Sequence, residues 1–440
     1  METKNNPKTI HAWAMFDWAN SAYNLVITST IFPAYYTAIT TTDERGDKVM
    51  FLGHEFVNTA LQDYVLAIAY TIVVLLLPIL TSIADYRGNK KSYMQLFTWI
   101  GGLACCGLFF FKLDTLEISM LLFALAAIGY CSGAVFYNSY LPQIASIEEQ
   151  DRVSAKGFTY GYIGSVLLQI ICFVFVLKPE LFGITDKSLP ARLSFLLVGL
   201  WWLGFAQIPF FKLPNGQPNN NNQHQNVISG GFKELGHVWK KIQAMPVLKK
   251  YLSAFFFYSM GVQTVMLVAT GFAAKELHLP DASLIATILI IQLVAIAGAA
   301  LMSKLSSIFG NVRVLMIVVI IWIGVCFAAY FITTETQFYL LAVVVGLVMG
   351  GIQSLSRSTY SKFLPQDITD TAAFFSFYDV TEKLAIVIGL FTFGFVESLT
   401  GSMRNSTLVL SVFFIAGLLL LFLLLRTQKR EIENITPGTV

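Results

Sequence analysis

Twelve long apolar stretches divide this chain of 440 residues, and their length limits the folds that it can adopt. An α-helix needs about 20 apolar residues to cross a bilayer. Charged residues make up 12% of the chain, against roughly 25% in soluble domains, and the mean hydropathy is +0.66. These values disfavour a soluble enzyme, a disordered chain, a disulfide scaffold and a nucleic-acid-binding protein, and they indicate a polytopic membrane protein.

The predicted fold class is all-α integral membrane, with twelve transmembrane helices, because the stretches are too long and too continuously apolar for barrel strands. We expect both termini to be cytoplasmic. With this topology, twenty Lys and Arg residues fall in cytoplasmic segments and eight on the opposite side, and Lys383 lies inside a span. The predicted spans are 12–39, 62–84, 92–111, 117–141, 154–177, 190–211, 248–274, 282–304, 312–333, 337–361, 371–397 and 405–426.

A polar stretch at 215–226, which reads NGQPNNNNQHQN, separates the sixth span from the seventh and is typical of a flexible linker. The residues that follow carry Phe232 and Trp239 on one face and Lys240 off it, so they predict a helix on the cytoplasmic membrane surface, with an unstructured linker as the alternative. The predicted domains are an N-terminal six-helix half at 1–211, a cytoplasmic linker at 212–247, a C-terminal six-helix half at 248–426 and a cytoplasmic tail at 427–440.

The two halves carry matching sequences at the ends of the fourth and tenth spans. The segments 137–143 (YNSYLPQ) and 360–366 (YSKFLPQ) share Tyr, Leu, Pro and Gln in register. A parallel repeat of two six-helix halves is an organisation found in secondary transporters, with a solute site near the membrane midplane between the halves.

Polar residues recur along one face of the predicted first helix. Asp17, Asn20, Ser21, Asn24 and Thr28 fall at positions i, i+3, i+4, i+7 and i+11, which lie on one face of a helix. Polar side chains in a membrane helix face water, solute or another helix, so we expect this face to line a pathway. For Asp17 alone, anchoring near the headgroups is the alternative, because a helix N-terminus favours a carboxylate.

The eleventh span contains Asp379, Glu382 and Lys383, which is an unusual density of charge for a membrane helix. Arg357 lies in the cytoplasmic part of the tenth span, and we expect it within ion-pairing reach of Asp379 or Glu382 in one conformation. Such a pair is either a latch that opens with the transporter or a static structural contact. A buried carboxylate also binds a coupling proton in some transporters, and Asp17, Asp379 and Glu382 are the three candidates.

Isolated polar side chains in other spans complete the predicted pathway, although amides in such positions also bond helix to helix. No nucleophile elbow, phosphate-binding loop or metal triad occurs in the sequence, so neither an enzyme nor a cofactor is expected. The expected partners are a small-molecule substrate, membrane lipid and protons as a candidate coupling ion, with no nucleic acid. We expect the protein to be a monomer. The predicted pathway residues are Asp17, Asn20, Asn24, Thr28, Asn138, Tyr162, Gln169, Tyr258, Gln263 and Thr264.

The connection between the second and third spans, Asp85 to Lys91, resembles the loop signature of the major facilitator superfamily, Gly-x-x-x-Asp-x-x-Gly-basic-basic. Thr81 stands where that signature has its first Gly, and Asn89 replaces one basic residue. The resemblance implies the major facilitator fold and a part for these charges in the cytoplasmic gate. The predicted gating residues are Asp85, Arg87, Arg357, Asp379, Glu382 and Lys383.

The segment Trp13 to Tyr23, WAMFDWANSAY, followed by Ile31-Phe32-Pro33 and Tyr36, resembles the first-helix signature of the vacuole-effluxer-like branch of that superfamily. Eukaryotic members export amino acids from the vacuole after autophagy. The resemblance implies a prokaryotic member in the cytoplasmic membrane that moves a small polar solute by alternating access, with amino acids as the first expectation. A proton-coupled sugar or cell-wall-fragment permease is the alternative, and a non-transporting membrane scaffold or receptor is the competing class.

Overall fold

The computed structural model describes residues 4–43, 45–215, 227–365 and 368–435, so most of the predicted flexible linker lies outside the described residues. Eleven helices in this part of the chain are long and apolar enough to cross a membrane. The helices are α1 Pro7–Ala22, α2 Ile31–Thr40, α3 Asn58–Arg87, α4 Lys90–Gly107, α5 Leu116–Asn138, α6 Leu141–Ile144, α7 Gln150–Leu177, α8 Leu189–Lys212, α9 Val227–Ala244, α10 Pro246–Leu277, α11 Asp281–Phe309, α12 Asn311–Phe331, α13 Glu335–Lys362, α14 Thr371–Thr400 and α15 Met403–Ile435.

The predicted first span is not one continuous α-helix. After α1, the segment Tyr23–Thr28 forms a π-helix, and α2 begins at Ile31. The hydroxyls of Ser29 and Thr30 donate to the carbonyls of Asn24 and Leu25, at 2.9 and 2.8 Å. Side-chain donors therefore replace the backbone hydrogen bonds that the break removes, as a membrane environment requires.

A small antiparallel hairpin between α2 and α3 was not predicted from the sequence. Strand β1 (Lys48–Phe51) pairs with β2 (His54–Val57), with Lys48 opposite Val57. The two turn residues, Leu52 and Gly53, both have positive φ, at 49° and 80°. Two positive φ values in a two-residue connection are the mark of a type I′ hairpin turn.

By their internal contacts the residues group into two units. The first comprises Met1–Tyr140 and Tyr160–Phe232, and the second comprises Leu141–Thr159 and Lys233–Val440. The second unit therefore includes a segment that precedes the linker in sequence. Within this unit Asp151 accepts hydrogen bonds from Ser306 at 2.8 Å and Asn311 at 2.7 Å, and Lys362 pairs with it at 2.6 Å. The domain boundaries proposed from the sequence stay a prediction.

Glycines allow helices α11 and α13 of the second unit to approach closely. A Cβ added at Gly350 would lie 2.1 Å from the carbonyl oxygen of Ala295, and one at Gly298 would lie 2.1 Å from that of Leu347. Backbone atoms cannot move aside as a flexible side chain does. Small residues at a crossing are a common means of helix association in membranes, where lipid is as apolar as leucine.

We expect Gly350→Ala to lower the thermal unfolding midpoint of the purified protein in detergent, because the added methyl group must push α11 and α13 apart. Overpacking of this kind costs about 1–3 kcal/mol. Gly324→Ala in α12 is the matched control, since a Cβ there meets nothing within 4 Å. A midpoint for Gly350→Ala as high as that of Gly324→Ala would contradict the close approach.

Candidate functional site

In the first unit, Asp17 of α1 lies against the end of α5. Its Oδ2 accepts a hydrogen bond of 2.7 Å from the Tyr137 hydroxyl. The Trp13 and Phe16 rings stack on the Tyr137 ring, with centroids 4.4 and 4.8 Å apart, and the Trp13 indole donates to the Tyr137 carbonyl. Asp17 is 8% exposed. The carboxylate is therefore held by a buried aromatic cluster that the sequence alone did not predict.

The polar face predicted for the first helix is altered by the π-helical segment. Asp17 and Asn20 lie in α1, whereas Asn24 and Thr28 lie in the π-helix, whose wider turn does not continue the α-helical register. Asn20 is buried, and Asn24 and Thr28 are half-buried. The side-chain amides of Asn20 and Asn24 make no hydrogen bond within the described chain, so their donors and acceptors are available for solute or water.

Helix α7 contributes the other polar residues near this segment of the first unit. The Gln169 side chain is fully buried, and its Oε1 accepts a 2.8 Å hydrogen bond from Thr30, while its Nε2 donor has no partner among the described residues. Tyr162 is buried, and Asn138 at the end of α5 is half-buried. An unpaired amide donor inside a membrane helix is costly, so Gln169 has a free hydrogen-bond position beside the break in the first span.

Two glycines of α7 lie where a side chain would collide with α1. A Cβ at Gly161 would lie 2.6 Å from the Ser21 hydroxyl, and one at Gly164 would lie 2.6 Å from the Trp18 carbonyl oxygen. The absence of side chains at both positions lets α7 approach α1 along the polar face. The glycines thereby bring Gln169 and the first helix together.

The loop with the superfamily-like signature is tightly folded within the first unit. Gly88 ends α3 in the left-handed conformation, with φ at 68°. Asp85 is buried and attracts the nearby Lys90, whose Nζ lies 4.1 Å from the centre of the Tyr140 ring, while Arg87 is exposed. Asp85 and Arg87 are therefore not equivalent, since one is a buried anion and the other a surface cation.

In the second unit, helix α14 carries a buried cluster of three charges. Lys383 Nζ lies 3.4 Å from Asp379 Oδ1 and 3.4 Å from Glu382 Oε2. The Gln263 amide of α10 donates to Glu382 Oε1 at 2.9 Å. Asp379 is 7% exposed, and its Oδ2 has no hydrogen-bond partner within the described chain. The cluster therefore holds two carboxylates against one ammonium and retains an unused carboxylate oxygen.

Two further predicted residues of α10 lie on the same side of the second unit. The Tyr258 hydroxyl is 2.8 Å from Ser356 Oγ of α13, and Tyr251 donates to the Ser356 carbonyl at 2.7 Å. Thr264 is fully buried, and its hydroxyl has no described partner. Gly389 brings α14 close to it, because a Cβ at Gly389 would lie 2.3 Å from Thr264 Oγ1. Helices α10, α13 and α14 thus share one polar region.

Arg357 makes contacts that the sequence did not predict. Its Nε and Nη2 donate to the hydroxyl and carbonyl of Ser154, at 3.0 and 2.8 Å, and its guanidinium lies 4.2 Å from the centre of the Phe158 ring. In this structure Asp379 and Glu382 pair with Lys383 instead of with Arg357. The physical reason is the helical spacing, because Lys383 is one turn from Asp379 on the same helix.

Helix α9 meets the beginning of α14 in the second unit. Lys241 forms a 2.8 Å ion pair with Asp370, which immediately precedes α14, and Trp239 lies against Phe377. Burial, with the adjacent Asp370 carboxylate, raises the pKa of Glu234 to about 7, and Lys241 opposes this effect. A basic and an acidic side chain of α9 therefore converge on one carboxylate at the start of the helix that carries the charge cluster.

Within the described ranges, no group of three or more His, Cys, Asp and Glu side chains is placed to hold a metal ion. The polar regions contain amides, hydroxyls and carboxylates, which bind solutes and protons by hydrogen bonds and charge. Their chemistry is that of binding, and they suit a solute with polar or charged groups.

Comparisons with known proteins relate the whole chain to membrane transporters. The profile of the family described as "Vacuole effluxer Atg22 like" matches residues 5–434. The MFS-type transporter YxiO of Bacillus subtilis (strain 168) is 32% identical over 95% of this chain and 95% of its own length. Autophagy-related protein 22 of Kluyveromyces lactis is 26% identical over 86% of this chain and 82% of its own.

The fold comparison agrees with the sequence comparison. The solved structure of FucP, a Major Facilitator Superfamily transporter in the outward conformation, aligns with a TM-score of 0.67. The alignment covers 96% of this chain and 99% of FucP at 13% sequence identity. The predicted all-α membrane fold of the major facilitator type is confirmed.

The position of Glu234 predicts a pH-dependent contact between α9 and α14. Its folded-state pKa of about 7 lies above the ordinary value of 4.5, so the docked helix binds more protons than the detached one between these values. Docking therefore weakens as the pH rises from about 4.5 to about 7 and does not weaken further above that. The Glu234→Gln substitution should remove this pH-dependent weakening of α9 docking.

Hydrogen exchange of the α9 backbone amides, compared between Glu234→Gln and wild type at each pH, measures the effect. We expect the variant to be better protected at pH 8 and equally protected at pH 4.5. Glu180→Gln, in a short helical turn of the first unit, is the control and should leave α9 unchanged at both values. Equal protection of Glu234→Gln and wild type at pH 8 would show that Glu234 does not oppose docking.

Proposed function

The chain belongs to the vacuole effluxer Atg22-like family of multi-pass membrane transporters, and we propose that it moves zwitterionic small solutes, amino acids first among them, by alternating access. The observation that carries this proposal is the charge cluster of α14, in which an ammonium and two carboxylates lie together in a buried region. A zwitterion carries the same two groups. Its amino group would bind Glu382 and its carboxylate would bind Lys383.

Polar residues of the first unit form a hydrogen-bonding region of their own in this proposal. Gln169 has a buried donor at Nε2 with no partner among the described residues, and Asn20 and Asn24 add two side-chain amides. The π-helical break places Asn24 and Thr28 at an interruption of the span, and such breaks occur in membrane proteins where the backbone lines a cavity. We therefore propose that this segment lines the solute pathway, together with Asn138 and Tyr162.

A sugar or cell-wall fragment remains the second candidate, because the amides of the first unit suit hydroxyl groups as well. A neutral sugar, however, would leave Lys383 and its two carboxylates without a role in binding. Burying charge in a membrane protein is costly, at about 2.5–3.5 kcal/mol for each group on insertion scales. The cluster therefore favours a charged solute over a neutral one.

We propose that Asp379 carries the coupling proton. Among the three candidates, Asp17 accepts a hydrogen bond from Tyr137, and Glu382 is bound by both Gln263 and Lys383. Asp379 alone of these has a buried oxygen with no described donor. Protonation would supply the missing neutralisation and leave Lys383 paired with Glu382.

We place the protein in the cytoplasmic membrane with both termini inside, because the excess of Lys and Arg falls on that side of the spans and the Bacillus subtilis relative is bacterial. In this orientation, the ion pair of Asp151 with Lys362 and the bond of Arg357 to Ser154 lie at the cytoplasmic ends of α7 and α13. We propose that these contacts close the cytoplasmic end of the second unit, and that Asp85 and Arg87 have a gating role at the cytoplasmic end of the first unit. Opening would require these contacts to break.

A substrate panel on the purified full-length protein in liposomes tests the function. We expect labelled amino acids, but not neutral sugars, to accumulate when a pH gradient is imposed. Asp379→Asn should reduce accumulation tenfold or more. It should preserve exchange of labelled for unlabelled solute, because exchange requires no net proton movement.

Asp114→Asn is the control for that variant, since Asp114 is exposed in a connecting turn. The control variant should accumulate solute as the wild-type protein does. Accumulation of sugars in preference to amino acids would reject the zwitterion assignment. Gradient-driven accumulation by Asp379→Asn at the wild-type level would remove Asp379 from coupling while leaving the substrate assignment intact.

We expect Asp17→Asn to impair transport while the folded yield in detergent stays near that of wild type. The variant keeps an oxygen that can accept the Tyr137 hydrogen bond but loses the negative charge. Transport in liposomes and the monodisperse fraction on gel filtration give the two readouts. Equal transport by the variant and wild type would assign Asp17 to packing.

A further inference from the structure

A cavity in the second unit lies outside the polar regions described above. Its volume is about 410 Å³, and it is formed by the α11–α12 turn, the end of α13 and the last turns of α15. Ligand cavities in proteins commonly measure about 300–1,000 Å³. The cavity is therefore large enough for more than a few water molecules.

Three cationic side chains line this cavity, namely Arg313, Lys362 and Lys429. Lys362 is neutralised by Asp151 at 2.6 Å. Arg313 and Lys429 are exposed, and neither forms an ion pair with any residue that the structure describes. The cavity therefore presents two uncompensated positive charges.

The remaining lining is apolar on one side and carries a helix terminus on the other. Phe309, Phe363 and Leu425 provide hydrocarbon surface. Gly310, with φ at 83°, is the whole connection between α11 and α12, so the first backbone amides of α12 lie at the cavity. Such amides have no partner within their own helix and add positive potential at this point.

We propose that this cavity binds the phosphate of an anionic phospholipid. Arg313, Lys429 and the start of α12 would hold the phosphate, and the apolar wall would contact the glycerol and the first carbons of the acyl chains. A free phosphate ion would match the charges but would leave the apolar wall uncovered. Basic pockets between transmembrane helices at the cytoplasmic side are known to recognise lipid headgroups by this chemistry.

The site lies at the end of the spans where Lys and Arg are in excess, which is the end that faces the more anionic leaflet in the orientation proposed above. Its assignment does not require a particular solute or coupling ion. Lipid bound there would contact α12, α13 and α15 of the second unit, and its binding should therefore stabilise the folded state by mass action.

Thermal unfolding of the purified full-length protein in detergent tests the proposal. We expect dioctanoyl phosphatidylglycerol to raise the unfolding midpoint of wild type saturably, while dioctanoyl phosphatidylcholine and inorganic phosphate at the same concentrations do not. The double variant Arg313→Gln/Lys429→Gln should weaken the apparent affinity for phosphatidylglycerol about thirtyfold, since each basic residue near an anionic surface contributes about fivefold.

The matched control is Lys304→Gln/Arg426→Gln, which removes one Lys and one Arg from the same end of α11 and α15 but outside the cavity lining. Phosphatidylglycerol should raise the unfolding midpoint of this control variant as it does for wild type. The single variants Arg313→Gln and Lys429→Gln give intermediate affinities if both charges contact the phosphate, and they remain informative if the double variant folds poorly.

Three results would overturn the proposal. An equal phosphatidylglycerol response in the cavity variant and wild type would place the lipid elsewhere. An equal response of wild type to phosphatidylcholine would show that net charge plays no part. An equal shift with inorganic phosphate would assign the cavity to a soluble anion.

Discussion

A charged group inside a membrane protein needs an opposite charge, a hydrogen-bond donor or water, and this requirement organises the second unit. Lys383 lies between Asp379 and Glu382, and Gln263 binds the far side of Glu382. The bond from Gln263 can form only if α14 turns this face towards α10. Gly389 permits that contact, because any side chain there would collide with Thr264. Packing and electrostatics therefore select the same orientation of one helix.

The first unit meets the same requirement with neutral partners. Asp17 receives a hydroxyl hydrogen bond from Tyr137, whose ring is fixed by two aromatic neighbours, Trp13 and Phe16. Stacked rings restrict the tyrosine to one position, so the hydroxyl is presented without further loss of side-chain freedom. The two units thus treat a buried carboxylate differently. The first unit surrounds Asp17 with a hydroxyl group and aromatic rings. The second unit places Asp379 beside the Lys383 ammonium and leaves one carboxylate oxygen unpaired.

The spans could be predicted from the sequence because the thickness of a bilayer fixes the length of a crossing helix. Eleven of the predicted spans correspond to continuous helices whose ends differ by a few residues, although α15 extends further. The break in the first span could not be predicted, because it depends on whether Ser29 and Thr30 satisfy the carbonyls that a π-helix releases. The hairpin was missed for a similar reason, since it depends on positive φ at Leu52 and Gly53 and has little apolar alternation.

Site residues divide according to the kind of information that identifies them. Asp379, Glu382 and Lys383 stand out in the sequence because charge is rare inside a span, but their partners depend on helix rotation, and Arg357 binds Ser154 instead of the predicted carboxylates. Asp151, Lys362, Arg313 and Lys429 gave no such signal, because charge is ordinary at the end of a span and serves first to orient the helix. Orientation requires only that these cations lie on one side of the membrane, whereas placing two of them around one cavity beside the start of α12 requires the turn at Gly310. A charge at a helix end can therefore hold a second role that only tertiary structure reveals, and its exposure makes that role separable from folding.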